Sequence, residues 1–231
     1  MSARDEVLSA VRRSLRATGD EAPRRAAVDA RLHEAPAGII PKRGQGDAGE
    51  RAATFKAEAA RAQASLAEVA EAADVPAEVA RFLRENNLPA CLRMGEDARL
   101  RAMPWGATAL ELSSGASDGH DPNAVSAAFA AVAETGTLAL VSGAANPTTL
   151  NFLPDNHIVV VFADDLVGDY ESVFAKLRAA YGAGAAPRTL NFITGPSRSA
   201  DIEQTLLLGA HGPRRLHIVV VGASPVAGAA K

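Results

Sequence analysis

The sequence predicts an α/β fold built on a largely parallel sheet. Runs such as Ile158-Val159-Val160-Val161-Phe162 and Ile218-Val219-Val220-Val221 are β-branched and apolar on both faces, as strands covered from both sides require. They alternate with stretches of helical periodicity, the element order that a parallel sheet with crossover helices produces. The chain of 231 residues, 48% of them hydrophobic, suffices for one substantial core with an added helical arm but not for two full domains.

Taken in order, residues Ala3–Ala17 are amphipathic through Val7, Leu8, Val11 and Leu15, a helix that Thr18-Gly19 stops. From Asp20 to Glu50 the chain is punctuated by Pro23, Pro36, Gly38, Pro41, Gly44 and Gly46, which reads as an arm or a partly disordered linker. Ala-rich Arg51–Ala73 is predicted to be one long helix with Phe55, Ala59, Leu66 and Val69 near one face. Pro76 suits the first turn of another, ending near Asn86-Asn87. Strands are predicted at Leu88–Arg93, Ala107–Leu112, Thr137–Ser142, His157–Phe162, Arg188–Thr194 and Arg215–Gly222, with helices near Asn123–Ala133, Leu166–Tyr181 and Ala200–Leu208. Gly182–Ala185 reads as a helix end and connector, and Val226–Lys231 as a frayed tail. The expected division is an N-terminal helical arm and linker over 1–79 and an α/β domain over 80–231. Such an arm suits a second subunit as well as its own domain, which leaves a homo-oligomer open.

Composition narrows the function. A formal net charge of −3 and 4% aromatic residues provide neither a basic stripe nor stacking platforms, so nucleic acid is not an expected partner. No apolar run approaches the roughly 20 residues that span a bilayer, and Met1–Arg16 intersperses charges where a signal peptide has an apolar core, so a cytoplasmic protein is expected. Cys91 is the single cysteine, which excludes an internal disulfide and a cluster held by several thiolates of this chain. It reads as a small apolar filler of a strand. None of the five His residues forms an HxxH or HExxH pair, so no metal site is assigned. Neither a GxxxxGK[ST] loop nor an early GxGxxG is present, and nicotinamide or ATP binding is not supported.

The segment Ile193–Pro213, ITGPSRSADIEQTLLLGAHGP, has the composition of a site. Gly195-Pro196-Ser197-Arg198-Ser199 is read as a strand-to-helix turn that aims backbone N–H groups, a helix dipole and the Arg198 guanidinium at one point, which suits a carboxylate or phosphate. The alternative is a well-capped helix start with no ligand. Ligands of open parallel sheets bind beyond the carboxyl ends of strands, where this turn is expected. Glu134 is the best candidate acid, because the helix predicted to end at Ala133 makes its charge unfavourable against the dipole, while Thr135-Gly136-Thr137 beside it exposes two hydroxyls on a flexible turn. The alternative is a surface Glu. His211, between Gly209 and Gly212, is a second candidate for proton transfer. His157 opens an apolar strand, where its imidazole either contacts a ligand or, the better reading, hydrogen-bonds the backbone of the turn before it.

Ala133-Glu134-Thr135-Gly136-Thr137-Leu138, Leu153-Pro154-Asp155-Asn156-His157-Ile158 and the Gly195–Pro213 segment, in this order, resemble the LUD domain, specifically the lactate-utilisation protein C (LutC/YkgG) family, over about residues 80–222. The resemblance implies a Rossmann-like three-layer α/β/α sandwich similar to the NagB/RpiA/CoA-transferase group. It also implies a role in oxidising L-lactate to pyruvate alongside iron–sulfur partner proteins, with the clusters in those partners and no cofactor in this chain. The family match makes Asp201 a partner for Arg198 or for a bound polar group. The site expected from all of this is Glu134 and His211 for proton exchange, with Thr135, Gly136, Thr137, Gly195, Ser197, Arg198, Ser199 and Asp201 around a small carboxylate or phosphate. Two other functions remain open at this point. One is a transferase or hydrolase of an acyl-CoA, sugar phosphate or folate-like substrate with Glu134 as nucleophile or base, which rests on fold analogy. The other is a non-catalytic assembly or metabolite-sensing subunit.

Overall fold

The computed structural model describes residues 2–16, 21–34, 36–182, 184–200 and 206–222. The chain divides into two compact units, Met1–Ile39 and Ile40–Lys231. The first holds α1 (Ala3–Ser14) and α2 (Ala22–Glu34). Ser2 caps α1 reciprocally with Asp5, satisfying two N–H groups that a helix start leaves open. The segment expected as a linker is thus largely helical: Pro23 falls in the first turn of α2, where its missing N–H costs nothing. Neither helix buries a residue.

In the second unit α3 (Ala48–Arg61) starts at Asp47, which exchanges capping hydrogen bonds with Glu50. The long helix expected over Arg51–Ala73 ends here. Gln63 adopts φ 69°, reversing the chain into β1 (Ser65–Val69), so Leu66 and Val69 belong to a strand. β1 pairs in parallel with β12 (Arg215–Val221), which draws this segment into the same sheet as the C-terminal strands and overturns a domain boundary at 79/80. There follow α4 (Val75–Glu85), β2 (Cys91–Met94), the short α5 (Ala98–Arg101) and β3 (Glu111–Ser114).

The expected helix Asn123–Ala133 is instead β4 (Asn123–Ala127) and β5 (Ala130–Val132). All eight of those strand residues are buried, and packing on both faces overrides the helix preference of their alanines. β6 (Thr137–Val141) and β7 (Asn156–Phe162) fall where expected. Residues expected to open the next helix form β8 (Leu166–Val167), and α6 runs from Tyr170 to Tyr181 behind its Asp169 cap. β9 (Leu190–Ile193) is followed by β10 (Arg198–Ala200) and β11 (Leu206–Leu208), an antiparallel pair, so Ala200 and Leu206–Leu208, expected at the two ends of a helix, are strand residues, and 201–205 between them lie outside the described residues.

Six parallel strands form the main sheet in the order β1-β12-β7-β4-β2-β3. Alternation along β7 and β12 sends Ile158, Val160, Val219 and Val221 to the face covered by α4 and α5, and Val159, Val161, Ile218 and Val220 to the other. This is the expected α/β class, a parallel sheet flanked by helices. On the second face, however, α3 shares the covering layer with a smaller sheet, β8-β5-β6-β9, whose far side is closed by Val173 and Leu177 of α6.

Candidate functional site

The turn after β9 lies in a cleft of ≈ 250 Å³ whose lining includes Asn151, His157, Gly195, Ser197, Arg198 and His211. Sequence spacing does not show why these meet. Hydrogen bonds do: the Ser197 N–H donates to the Pro213 carbonyl at 2.9 Å, the Gly209 N–H to the Ser197 carbonyl at 3.0 Å, and the His211 N–H to Ser197 Oγ at 3.2 Å. The two loops expected to carry the site are thereby held as one wall. Arg198 is exposed at its rim and, among the described residues, makes no ion pair, leaving its guanidinium free for an anion.

Two features of the expected anion turn are corrected. Arg198 opens a strand, so the helix expected to aim its dipole at Gly195–Ser199 does not start there, and what the turn can offer a ligand is side chains and loop N–H groups. The cleft also lies at the amino ends of the main sheet, lined by the second residues of β7 and β12, His157 and Leu216. The turn does follow the carboxyl end of β9, but β9 is an antiparallel strand of the smaller sheet, to which the rule for parallel strands does not apply. Ser199 is a residue of β10, and Asp201 lies outside the described residues.

Glu134 does not join this group. It sits in the hairpin between β5 and β6 rather than at a helix end, so no dipole opposes its charge. Its N–H donates to the Gly168 carbonyl, and it is 4% exposed, packed beside Gly44, whose position a Cβ would bring within 3.0 Å of Glu134 Cβ. It does not line the cleft. Thr135 and Thr137 are likewise turned into structure: their hydroxyls lie 2.7 Å apart, both contact Tyr170 Oη, at 3.1 and 3.0 Å, and Thr137 Oγ1 lies 2.6 Å from Thr194 Oγ1. Thr194 lines the cleft, so this hydroxyl cluster braces its wall from behind. Gly136 is a packing residue, with φ 64° and a Cβ position only 2.2 Å from the backbone nitrogen of Ala59 in α3.

The floor of the cleft carries His157 and a residue, Asn151, that the sequence does not signal. His157 is 1% exposed, and burial among apolar groups pushes its imidazole down to about 3, so the ring is neutral at ordinary pH. One ring nitrogen, Nε2, is satisfied by Ser126 Oγ at 3.0 Å; the other, Nδ1, is buried and has no hydrogen-bond partner among the described residues. Asn151 also lines the cleft. It is fully buried, and neither end of its amide has a partner among the described residues. A buried polar group left unpaired costs about 1–3 kcal/mol, so these two side chains are groups that a ligand in the cleft could satisfy. No periodicity signals Asn151, which lies in a 3₁₀ turn, Thr148–Asn151. Among the described residues no group of three His, Cys, Asp or Glu side chains is arranged to hold a metal, and no helix is long and apolar enough to cross a membrane.

Residues 124–221 match the LUD domain family model. Lactate utilization protein C of Geobacillus sp. (strain WCH70) is 38% identical over 91 residues, which are 39% of this chain and 38% of that protein. The protein of the same name from Geobacillus thermodenitrificans (strain NG80-2) is 40% identical over 91 residues, with the same shares of 39% and 38%. That from Shouchella clausii (strain KSM-K16) is 37% identical over 90 residues, 39% of each chain. The chain thus covers about two fifths of the length of the curated relatives it matches. A crystal structure of a DUF162 family protein from Deinococcus radiodurans superposes with a TM-score of 0.54 at 23% identity, covering 77% of this chain and 100% of that one, a likeness of fold. The residues that line the cleft, from Asn151 to Leu216, fall inside the segment that matches the LUD domain family model, and the chain is similar over about 90 residues to lactate utilization protein C.

Proposed function

We propose that the protein is a subunit of a lactate-utilisation system, working with iron–sulfur partner proteins in the oxidation of L-lactate to pyruvate, and that it holds a small carboxylate in the cleft. The observation that carries this reading is the union, at one cleft of ≈ 250 Å³, of the Arg198 guanidinium with buried polar groups of His157 and Asn151, none of which has an ion-pair or side-chain hydrogen-bond partner for those atoms among the described residues. That size suits a metabolite of a few heavy atoms, being below the roughly 300–1,000 Å³ of drug-sized ligand sites. Arg198 supplies the charge for a carboxylate, the loop N–H groups add donors, and exposed His211 stands at the mouth as a proton carrier. That this chain has a single Cys supports cluster ligation by partner proteins. The curated relatives bear the name lactate utilization protein C, which supports the same system. The transferase reading needs Glu134 at the reacting centre, and its side chain is not part of the cleft.

Calorimetric titration of the full chain with L-lactate tests this directly. Binding that weakens with Arg198→Ala is expected; absence of binding overturns the carboxylate site. Co-purification with a cysteine-rich iron–sulfur protein tests the assembly half of the proposal. An assembly role is favoured by a separate observation: α1, its C-cap Leu15 and α2 expose Val7, Leu8, Val11, Leu15, Val28 and Leu32.

A further inference from the structure

The hydrogen bonds behind His157 fix more than its position. Asn146 Nδ2 faces the Val141 carbonyl at 3.5 Å, and a carbonyl only accepts, so the amide must present Oδ1 on its other side. There Ser126 Oγ donates to Asn146 Oδ1 at 2.8 Å. With its one hydrogen so committed, Ser126 Oγ can only accept from His157, 3.0 Å away, which places the imidazole proton on Nε2. Nδ1 is then a bare lone pair. It belongs to a buried residue of the cleft lining and has no partner among the described residues. Ser126 and Asn146 are themselves buried, so water does not rescue the other tautomer by competing for the relay.

We infer that the Asn146–Ser126–His157 relay makes the cleft selective for a 2-hydroxy acid over the corresponding 2-oxo acid, with His157 Nδ1 accepting a hydrogen bond from the ligand hydroxyl while Arg198 holds its carboxylate. This rests on the reading of the cleft as a carboxylate site and adds the choice between two acids of nearly equal size and charge. A hydroxyl donates to Nδ1. A keto oxygen has only lone pairs and meets another lone pair there, an unmade hydrogen bond in a dry site. Asn151 does not weaken the choice, because its amide offers a donor and an acceptor and accommodates either acid. His157 therefore acts as a specificity-determining residue, and Ser126 and Asn146 as positioning residues that hold its tautomer.

Titration of the full chain with L-lactate and with pyruvate separates the two levels of the argument. L-Lactate is expected to bind about tenfold more tightly, the ratio that one neutral hydrogen bond supports. Ser126→Ala releases the ring to take either tautomer and should bring the ratio near unity, whereas Arg198→Ala should weaken both acids alike. Nitrogen NMR of ¹⁵N-histidine-labelled protein reads the tautomer without any ligand: His157 should show a protonated Nε2 and a bare Nδ1. Equal affinity or a preference for pyruvate in the wild-type protein, or a protonated Nδ1, overturns the hydroxyl selectivity while leaving the carboxylate cleft standing. Binding of neither acid removes the carboxylate reading and this inference with it.

Discussion

Gly195 rests against the carbonyl of Ala62: with φ 72°, a Cβ built on it would lie 2.1 Å from that oxygen. The C-terminal end of α3 thus fixes where the cleft turn begins, and the required glycine is a matter of close approach as well as of left-handed backbone. Gly195→Ala should lower stability by about 1–3 kcal/mol, the usual cost of such strain, and should blunt ligand binding because the turn must shift. Chemical denaturation checks it against Gly106→Ala, where an added Cβ meets no atom within 4 Å. Equal losses for the two substitutions would contradict the close-approach argument.

Arg198→Ala should leave the melting temperature within error, since the side chain is exposed and has no ion pair among the described residues to lose. It should weaken L-lactate binding by about 1.5 kcal/mol, roughly tenfold, the lower end for a hydrogen bond to a charged group because water reaches the exposed guanidinium at the rim. The dependence of affinity on salt should fall in parallel. A mutant that binds as tightly as the wild-type protein at low and high salt alike would place the anion elsewhere.

Much of the parallel sheet was legible because its strands are long β-branched runs: β7 and β12 fall within a residue of their expected bounds. The misses share a physical cause. Over Asn123–Ala133 small alanines satisfy a helix pattern, yet every residue of β4 and β5 is enclosed, and tertiary packing settles the matter. At Ala62–Ala64 no glycine or proline announces the end of α3; a non-glycine residue, Gln63, takes the left-handed conformation instead. For the site, the loop pair Gly195–Arg198 and His211 was readable from turn formers and charge. Asn151 was not, because its importance lies in the partners it lacks, and those are properties of burial. Glu134 drew attention through a helix dipole that the fold does not contain.

Glu134→Gln should therefore leave affinity for L-lactate unchanged, in contrast to the behaviour expected of a group inside the site. The residue is 4% exposed, its Cβ lies beside Gly44, and it is outside the cleft lining. Titration of the folded variant measures this. A tenfold or greater loss with an unaltered melting temperature would bring Glu134 back to the ligand and revive its role as a base.

Burial of His157 also makes stability depend on pH with a definite sign. Its imidazole titrates near pH 6.5 in the unfolded chain and at about 3 in the folded protein, desolvation being the cause. The native state thus holds the ring neutral while the unfolded state takes up a proton as pH falls. Stability from this residue is fully present above about pH 6.5, declines as pH drops from there toward 3, and declines no further once the folded ring protonates too. The slope approaches about 1.4 kcal/mol per pH unit within that window, the value for one proton. His217, pushed in the same direction by burial despite Glu78 at 3.3 Å from its Nε2, adds to the total in the same sense. Carboxylates contribute to any acid denaturation, so the measurement is a difference: urea unfolding of wild type and His157→Gln from pH 7.5 to 4. The variant starts less stable, having lost the Ser126 contact and the close packing of the ring, but its stability should fall less steeply with acid. Parallel curves for the two proteins would mean that His157 gains no proton on unfolding, and would place the ring in contact with solvent rather than buried beneath the cleft.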